Sequence, residues 1–375
     1  MQRAKSKKQI AKCIELRANS QQRRAKGEER RDKNYILFVL FSLLLALSSM
    51  FFAVNSGHTA QKDFKGRIAL FPFENLSVDK NALTSVMPVL REKLEAKGFD
   101  ILDEDSLNQF LLKERIRCTG YITKDTATKL KEELNVEAIL VGSINSFSNG
   151  ENPQAGFSAR LVSSSDCSII WANHASATGE DFTSILGLGR IKSIEILNDR
   201  LINRLLESFR VSQPEKEIES TYRIAVMPFQ NKSKMKDVGM LATYMFIVEL
   251  FKSKKYVPLE YGEIRCLIVN LRLKDKGELD YKKTEVISES SGVDGIIVGT
   301  VDMYHEGEGT APPEVSISAR LIDAHKDKIL WSNSYQLKGD DNIFMLDWGR
   351  INSPENVAYQ AISKLVKEMS KTKWH

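Results

Sequence analysis

The sequence predicts an α/β (α+β) protein: two tandem copies of one small domain, each with helices packed on a mixed β-sheet, preceded by one transmembrane helix. Three observations predict it. RIALFPFENLS from Arg67 recurs as RIAVMPFQNKS from Arg223, and four further matches follow in unchanged order. Within each copy, short β-branched and aromatic runs give way to helical periodicity and back. Ahead of the copies lies an uncharged apolar run of 20 residues, 35–54.

Residues 1–34 hold 12 Lys/Arg and 4 Asp/Glu, a net of +8. The rest of the chain is therefore close to neutral, although the total is +5. Nucleic acid is not expected as a partner, because phosphate binding needs a concentrated basic face on the folded part. The tail reads either as a topology determinant resting on anionic lipid or as a docking arm for a cytoplasmic partner.

YILFVLFSLLLALSSMFFAV, 35–54, contains no charge, Gly or Pro. As a helix rising about 1.5 Å per residue it spans the roughly 30 Å hydrocarbon core. Positive segments stay inside, so the amino terminus is expected in the cytoplasm and the remainder outside. A cleaved signal peptide is the competing reading, but its apolar region runs only about 7–15 residues. No Cys follows the run directly, so a lipoprotein signal is not expected. Residues 55–65 are a short spacer that keeps copy one near the membrane surface.

Copy one covers 66–209 and copy two 222–372, joined by a polar linker at 210–221. RIALF and its counterpart read as strands, ended by Pro72 and Pro228, since proline cannot donate to a ladder. Helical spacing follows through Leu83, Val86, Val89, Leu90 and Leu94, and through Leu241, Tyr244, Ile247, Val248 and Phe251. Gly98 stops the first helix. FDIL and YVPL are second strands, and helices follow near Ser106–Arg115 and Asp125–Leu134. AILVGSI and GIIVGTV are apolar throughout, which predicts a central strand covered on both faces. A hairpin comes next, FSARLV with IIWANH and ISARLI with ILWSNS, and a long amphipathic helix closes each copy. Ser353 and Pro354 fit the N-cap and first position of the last one.

No catalytic residue is assigned. The residues shared between copies are Arg, Pro, Phe, Asn, Ser, Gly and Trp, and no His, Cys or Lys–carboxylate constellation repeats. A site unique to one copy, or lying between the copies, stays open. No cofactor and no metal is expected. Gly187-Leu188-Gly189 lacks a third glycine, and Asp347 replaces Gly187 in copy two, so it reads as loop geometry rather than a phosphate cradle. Cys13, Cys118, Cys167 and Cys266 make no framework, and a Cys118–Cys167 disulfide is the minority case.

Eight residues are candidate partner contacts. Asn75, Ser77, Asn231 and Ser233 form repeated Asn-X-Ser triplets, read first as turn chemistry and second as glycosylation sites. Trp171 and Trp331 read as core, with a partner contact as the alternative. Arg160 and Arg320 point away from the apolar side of their strands, toward a salt bridge with a covering helix or toward a partner.

RIAVMPFQNKS, VDGIIVGTV and VSISARLIDAHKDKILWSNS resemble the bacterial envelope family that includes the TolB amino-terminal domain, CsgG and LpoB. The resemblance spans nearly all of both copies and is closer for copy two. It implies a non-catalytic role in the envelope, binding other proteins or assembling into larger structures. The TolB propeller, the long inserted strands of CsgG and the lipidated Cys of LpoB have no counterpart here. The expectation is an inner-membrane-anchored periplasmic adaptor for a secretion, motility or wall-synthesis complex. The partners would be envelope proteins and the membrane itself. The alternatives are a direct activator of a peptidoglycan synthase, a homo-oligomeric ring, and a ligand binder or enzyme with a cleft between the copies.

Overall fold

The structure is a computed structural model that describes residues 66–117, 119–183, 189–209, 222–270, 281–307, 311–341, 343 and 349–374. The tail, the apolar run at 35–54, the spacer, the linker at 210–221, Cys118, Gly187, Leu188 and Asp347 lie outside the described residues. Among the described residues no helix is long and apolar enough to cross a membrane.

The first sheet runs β3-β1-β4-β5-β6. Strand β1 (Arg67–Leu70) lies parallel between β3 (Asp100–Ile101) and β4 (Val136–Ser148). Strands β5 (Gln154–Ser163) and β6 (Ile169–Thr178) extend it antiparallel. Pro72 interrupts the pairing with β4 without ending it. The Phe71 amide still donates to the Leu140 carbonyl at 3.0 Å, and β2 (Glu74–Asn75) resumes parallel pairing with Ser143 and Ile144. The missing proline N–H removes one rung and leaves the flanking ones intact.

The second sheet repeats this with β7 (Tyr222–Val226), β8 (Gln230–Asn231), β9 (Tyr256–Pro258), β10 (Gly295–His305), β11 (Glu314–Asp323) and β12 (Ile329–Lys338), in the order β12-β11-β10-β7-β9. Even the irregularity is copied: pairing shifts between Ile144 and Ser146 in one sheet and between Val301 and Met303 in the other. Both sheets are mixed, as the sequence predicts.

Helices α1 (Ala82–Ala96), α2 (Glu104–Lys113), α3 (Lys124–Leu134) and α4 (Ile194–Leu205) belong to the first sheet. Helix α2 starts earlier than its periodicity implies because Asp103 caps it, accepting from the Ser106 amide at 2.8 Å. On one face of the sheet, Val86, Leu90 and Leu94 of α1 and Leu197 and Leu201 of α4 meet Phe157, Ala159 and Leu161. On the other, Leu107, Phe110 and Leu130 of α2 and α3 meet Ile139, Val141 and Val162. That second cover spans only half the face.

Around the second sheet lie α5 (Val238–Lys252), α6 (Tyr261–Asn270), α7 (Tyr281–Ser291) and α8 (Pro354–Met369). Ser353 caps α8 by accepting from the Asn356 amide at 3.3 Å. Helix α5 is the element that breaks the symmetry. It is buried on all sides, including Leu241, Thr243, Tyr244, Phe246, Ile247, Val248 and Leu250. Helix α1 buries only Ala82, Val86, Leu90 and Leu94. A helix apolar all round needs cover all round, and α5 finds it by packing between its own sheet and β4, β5 and β6 of the first. The described residues of the two copies accordingly form one compact unit.

Candidate functional site

Where α5 and the start of α8 lie on the first sheet, they cover its polar half-face: Ser143, Asn145, Ser158, Arg160, His174 and Ser176, all buried. Burying such groups costs free energy unless each finds a partner. Two networks supply the partners.

The first is centred on Arg160. Its side chain and that of Glu260 are both 0 % exposed. Nε donates to Glu260 Oε2 at 2.9 Å, and Nη2 donates to Glu260 Oε1 at 3.0 Å and to the Gly120 carbonyl at 2.7 Å. Nη1 is buried without a hydrogen-bond partner, and the guanidinium lies over the Tyr244 ring with Cζ 4.7 Å from its centroid. The Tyr244 hydroxyl donates to Glu74 Oε2 at 2.6 Å. Burial works against the Arg160 charge, but Glu260 outweighs it and holds the group above its ordinary range. Burial pushes the Glu74 carboxyl up, which suits an acid buried beside a phenol.

Glu260 holds in copy two the place that Asp103 holds in copy one. The amides of Leu102 and Leu259, just ahead of them, donate to the equivalent carbonyls of Ile68 and Ile224. Asp103 caps its own helix; Glu260 reaches across to the neighbouring sheet instead. Close contact continues beside it. A side chain at Gly262 would place its Cβ 1.9 Å from the Ile122 carbonyl oxygen, so only glycine lets α6 approach this closely. One residue on, Glu263 accepts from the Lys124 amide at 2.7 Å, at the start of α3.

The second network is centred on Glu355, in the first turn of α8 and 0 % exposed. It accepts from Asn145 Nδ2 on Oε1 and from Ser146 Oγ on Oε2, each at 2.6 Å. Asn145 Nδ2 also donates to Ser158 Oγ at 2.9 Å, and Ser158 Oγ lies 3.2 Å from His174 Nδ1. His174 Nε2 lies 3.2 Å from Ser176 Oγ, which donates to Asn356 Oδ1 at 2.7 Å. The Tyr359 ring stacks on His174 with centroids 4.3 Å apart.

Burial raises the Glu355 carboxyl to about 7 despite its two donors. Burial, with Lys252 and Arg204, depresses His174 to about 3. His174 Nδ1 and Glu355 Oε1 are 3.8 Å apart, too far for a hydrogen bond. His174 is held neutral, so the pair is not an ion pair. Room for the carboxylate comes from Gly156: a Cβ there would sit 1.8 Å from Glu355 Oε2.

The structure treats the eight candidate contacts unequally. Asn75 donates to the Asp79 carbonyl at 2.7 Å and accepts from the Ser77 amide at 3.0 Å. Asn231 donates to the Met235 carbonyl at 2.6 Å and accepts from the Ser233 amide at 2.9 Å. These are matched turns. Trp171 is core: it meets Phe209 edge-on at 4.7 Å, and its Nε1 donates to the Ser208 carbonyl at 3.1 Å. Trp331 is half-buried against the second core. Arg160 finds its salt bridge at the head of a helix of the other copy, whereas Arg320 is exposed. Only Arg160 joins the interface.

Glu74, Tyr244, Glu260, Glu355 and His174 do not stand out in the sequence, because none repeats as a reactive pair. Two signals do point to them. The α5 segment, VGMLATYMFIVELFK, has two charged residues against four in its counterpart ALTSVMPVLREKLEA, and is apolar round its whole circumference. Gly156 is replaced by Ser316 at the equivalent position, so the glycine serves one copy only. Chemically, the interface can hold a proton on Glu355 and anchor the copies, and Arg160, Glu260 and Glu355 are fully enclosed in it. Among the described residues no group of three His, Cys, Asp or Glu could hold a metal ion. Cys167 is a buried free thiol and Cys266 an exposed one.

No family model matches this chain, and no curated protein matches it. Among solved structures, lipoprotein GNA1162 from Neisseria meningitidis is similar at 18 % identity and a TM-score of 0.29, over 38 % of this chain and 99 % of that one. The PelC dodecamer from Paraburkholderia phytofirmans is similar at 16 % and 0.28, over 41 % and 92 %. The LpoB C-terminal domain from Salmonella enterica is similar at 13 % and 0.26, over 37 % and 93 %. At scores this low the likeness says nothing about what this chain binds or does.

Proposed function

We propose that this chain is a bacterial inner-membrane protein, anchored by one helix at 35–54 with its amino terminus in the cytoplasm. Its two domains, 66–209 and 222–372, act outside the cytoplasm as one rigid, non-catalytic adaptor for an envelope assembly. A secretion, motility or wall-synthesis complex is the class of assembly meant. One observation carries the non-catalytic part: the perturbed groups Arg160, His174 and Glu355, and Glu260 that pairs with Arg160, are buried where the copies meet and are used in holding them together. Perturbed groups often mark active sites, and a ligand site between the copies is the rival reading. Its weakness is burial, since the same groups are enclosed and engaged with one another. The basic tail ahead of an apolar run and the resemblance of RIAVMPFQNKS and its companions to envelope proteins support the location.

The test is crosslinking of the tagged full chain in its own cells, followed by mass spectrometry of what co-purifies from membranes. Recovery of envelope components that depend on the folded domains is expected. Recovery of the chain alone would overturn the adaptor reading.

A further inference from the structure

The polar half-face that α5 covers in copy one has a twin in copy two. Asp302, Ser318, Arg320, Ser332, Ser334 and Gln336 stand where Asn145, Ser158, Arg160, Ala172, His174 and Ser176 stand in the first sheet. The register is the same: Val141 faces Arg160 and Val298 faces Arg320; Arg160 faces Ala172 and Arg320 faces Ser332. The backbone platform is thus built twice. In copy one every one of those side chains is buried; in copy two all but the half-buried Ser318 are exposed.

Charge sharpens the contrast. Asp302 is already engaged by Lys232 Nζ at 3.1 Å and Ser318 Oγ at 3.0 Å. Among the described residues Arg320 has no ion-pair or hydrogen-bond partner. Its twin Arg160 takes a carboxylate in a two-point contact and an aromatic ring over its plane.

A second copy of this chain does not fit. The helix it would offer is α1, whose outer face carries Ser85, Pro88 and Glu92, all exposed, where α5 has Leu241, Tyr244 and Val248. Its α4 would bring Glu195 in place of Glu355. That carboxylate would meet Asp302 instead of Asn145 and Ser316 instead of Gly156, a repelling charge and a filled pocket.

We propose that the outer face of the second sheet, centred on Arg320, is the docking surface for a helix of another protein, one that lays an apolar or aromatic ridge on the sheet and sets a carboxylate against Arg320. This deepens the adaptor reading and rests on it.

The experiment places a photo-crosslinking residue at Ser334 in the full chain in its native membrane, and separately at Thr84 on the outer face of α1. The expected result is an adduct at Ser334 with a different protein, mapped to a helical segment bearing Asp or Glu. Arg320→Glu should lower its yield at least ten-fold with melting unchanged, and reversing the partner's carboxylate to Lys should restore it. An adduct with a second copy, or one indifferent to Arg320→Glu, overturns the proposal. A foreign adduct at Thr84 but none at Ser334 also overturns it, while leaving the adaptor reading standing. No adduct at either position sinks both.

Discussion

Arg160 and Glu260 show how much one buried pair can demand of its surroundings. The guanidinium already has one unpartnered nitrogen, Nη1. Glu260→Ala would leave the whole charge enclosed, and unfolding of the full chain should show a loss of about 3–5 kcal/mol. Replacing both with apolar residues, Arg160→Met with Glu260→Leu, should cost far less, because no uncompensated charge remains. Equal losses for the single and double variants would mean that the pair is not the source of the effect. Glu355 makes a separate prediction. Its carboxyl titrates near 7 in the folded chain against an ordinary 4.5. A raised folded pKa contributes stability that is fully present below about 4.5 and is lost as pH rises through about 7. Glu355→Gln removes that loss. Relative to the parent, the variant should therefore gain up to about 3 kcal/mol on going from pH 5 to pH 8. His174 and Tyr304, which face Glu355, are present in both proteins, so their own titrations cancel in the comparison. A gain that is flat with pH would contradict the buried neutral acid. Gly156→Ala should destabilise by about 1–3 kcal/mol through overpacking. Combining it with Glu355→Ala should recover part of that loss, a coupling that a double-mutant cycle reads directly.

At the scale of elements, α5 decides the architecture. Its counterpart α1 needs one apolar stripe because one sheet covers it; α5 is apolar all round because two do. The contrast is readable in the sequence as a helix with few charges, yet its meaning is not, since the same pattern suits a helix buried in one large core. Copy two expressed alone should expose Leu241, Tyr244 and Val248, bind hydrophobic dye and aggregate. Co-expression with copy one should return a soluble one-to-one complex. A monomeric, dye-silent copy two with no affinity for copy one would show that the interface is not needed. The hairpins and the Ser353 cap were legible for local reasons, since a short polar side chain reaches the free amide three residues on; the Asp103 cap, which starts α2 early, was not read. The resumption of pairing at Glu74 after Pro72 was not, because it depends on where β4 lies.

For the molecule as a whole, the duplication was plain from five collinear matches, and with it the mixed sheets, the order of elements and the outward direction of Arg160 and Arg320. Those features follow from local periodicity and from the repeat itself, which the linear order of residues carries in full. The separate fates of the two arginines were not legible. Both sit in the same SAR motif on equivalent strands, β5 and β11, but one meets Glu260, 100 residues away, and the other meets solvent. Contacts at that separation are set by how the copies stack. That stacking places Glu260, Glu355 and Gly262 of copy two against copy one, and so it was the tertiary structure alone that closed one polar face and left its twin open.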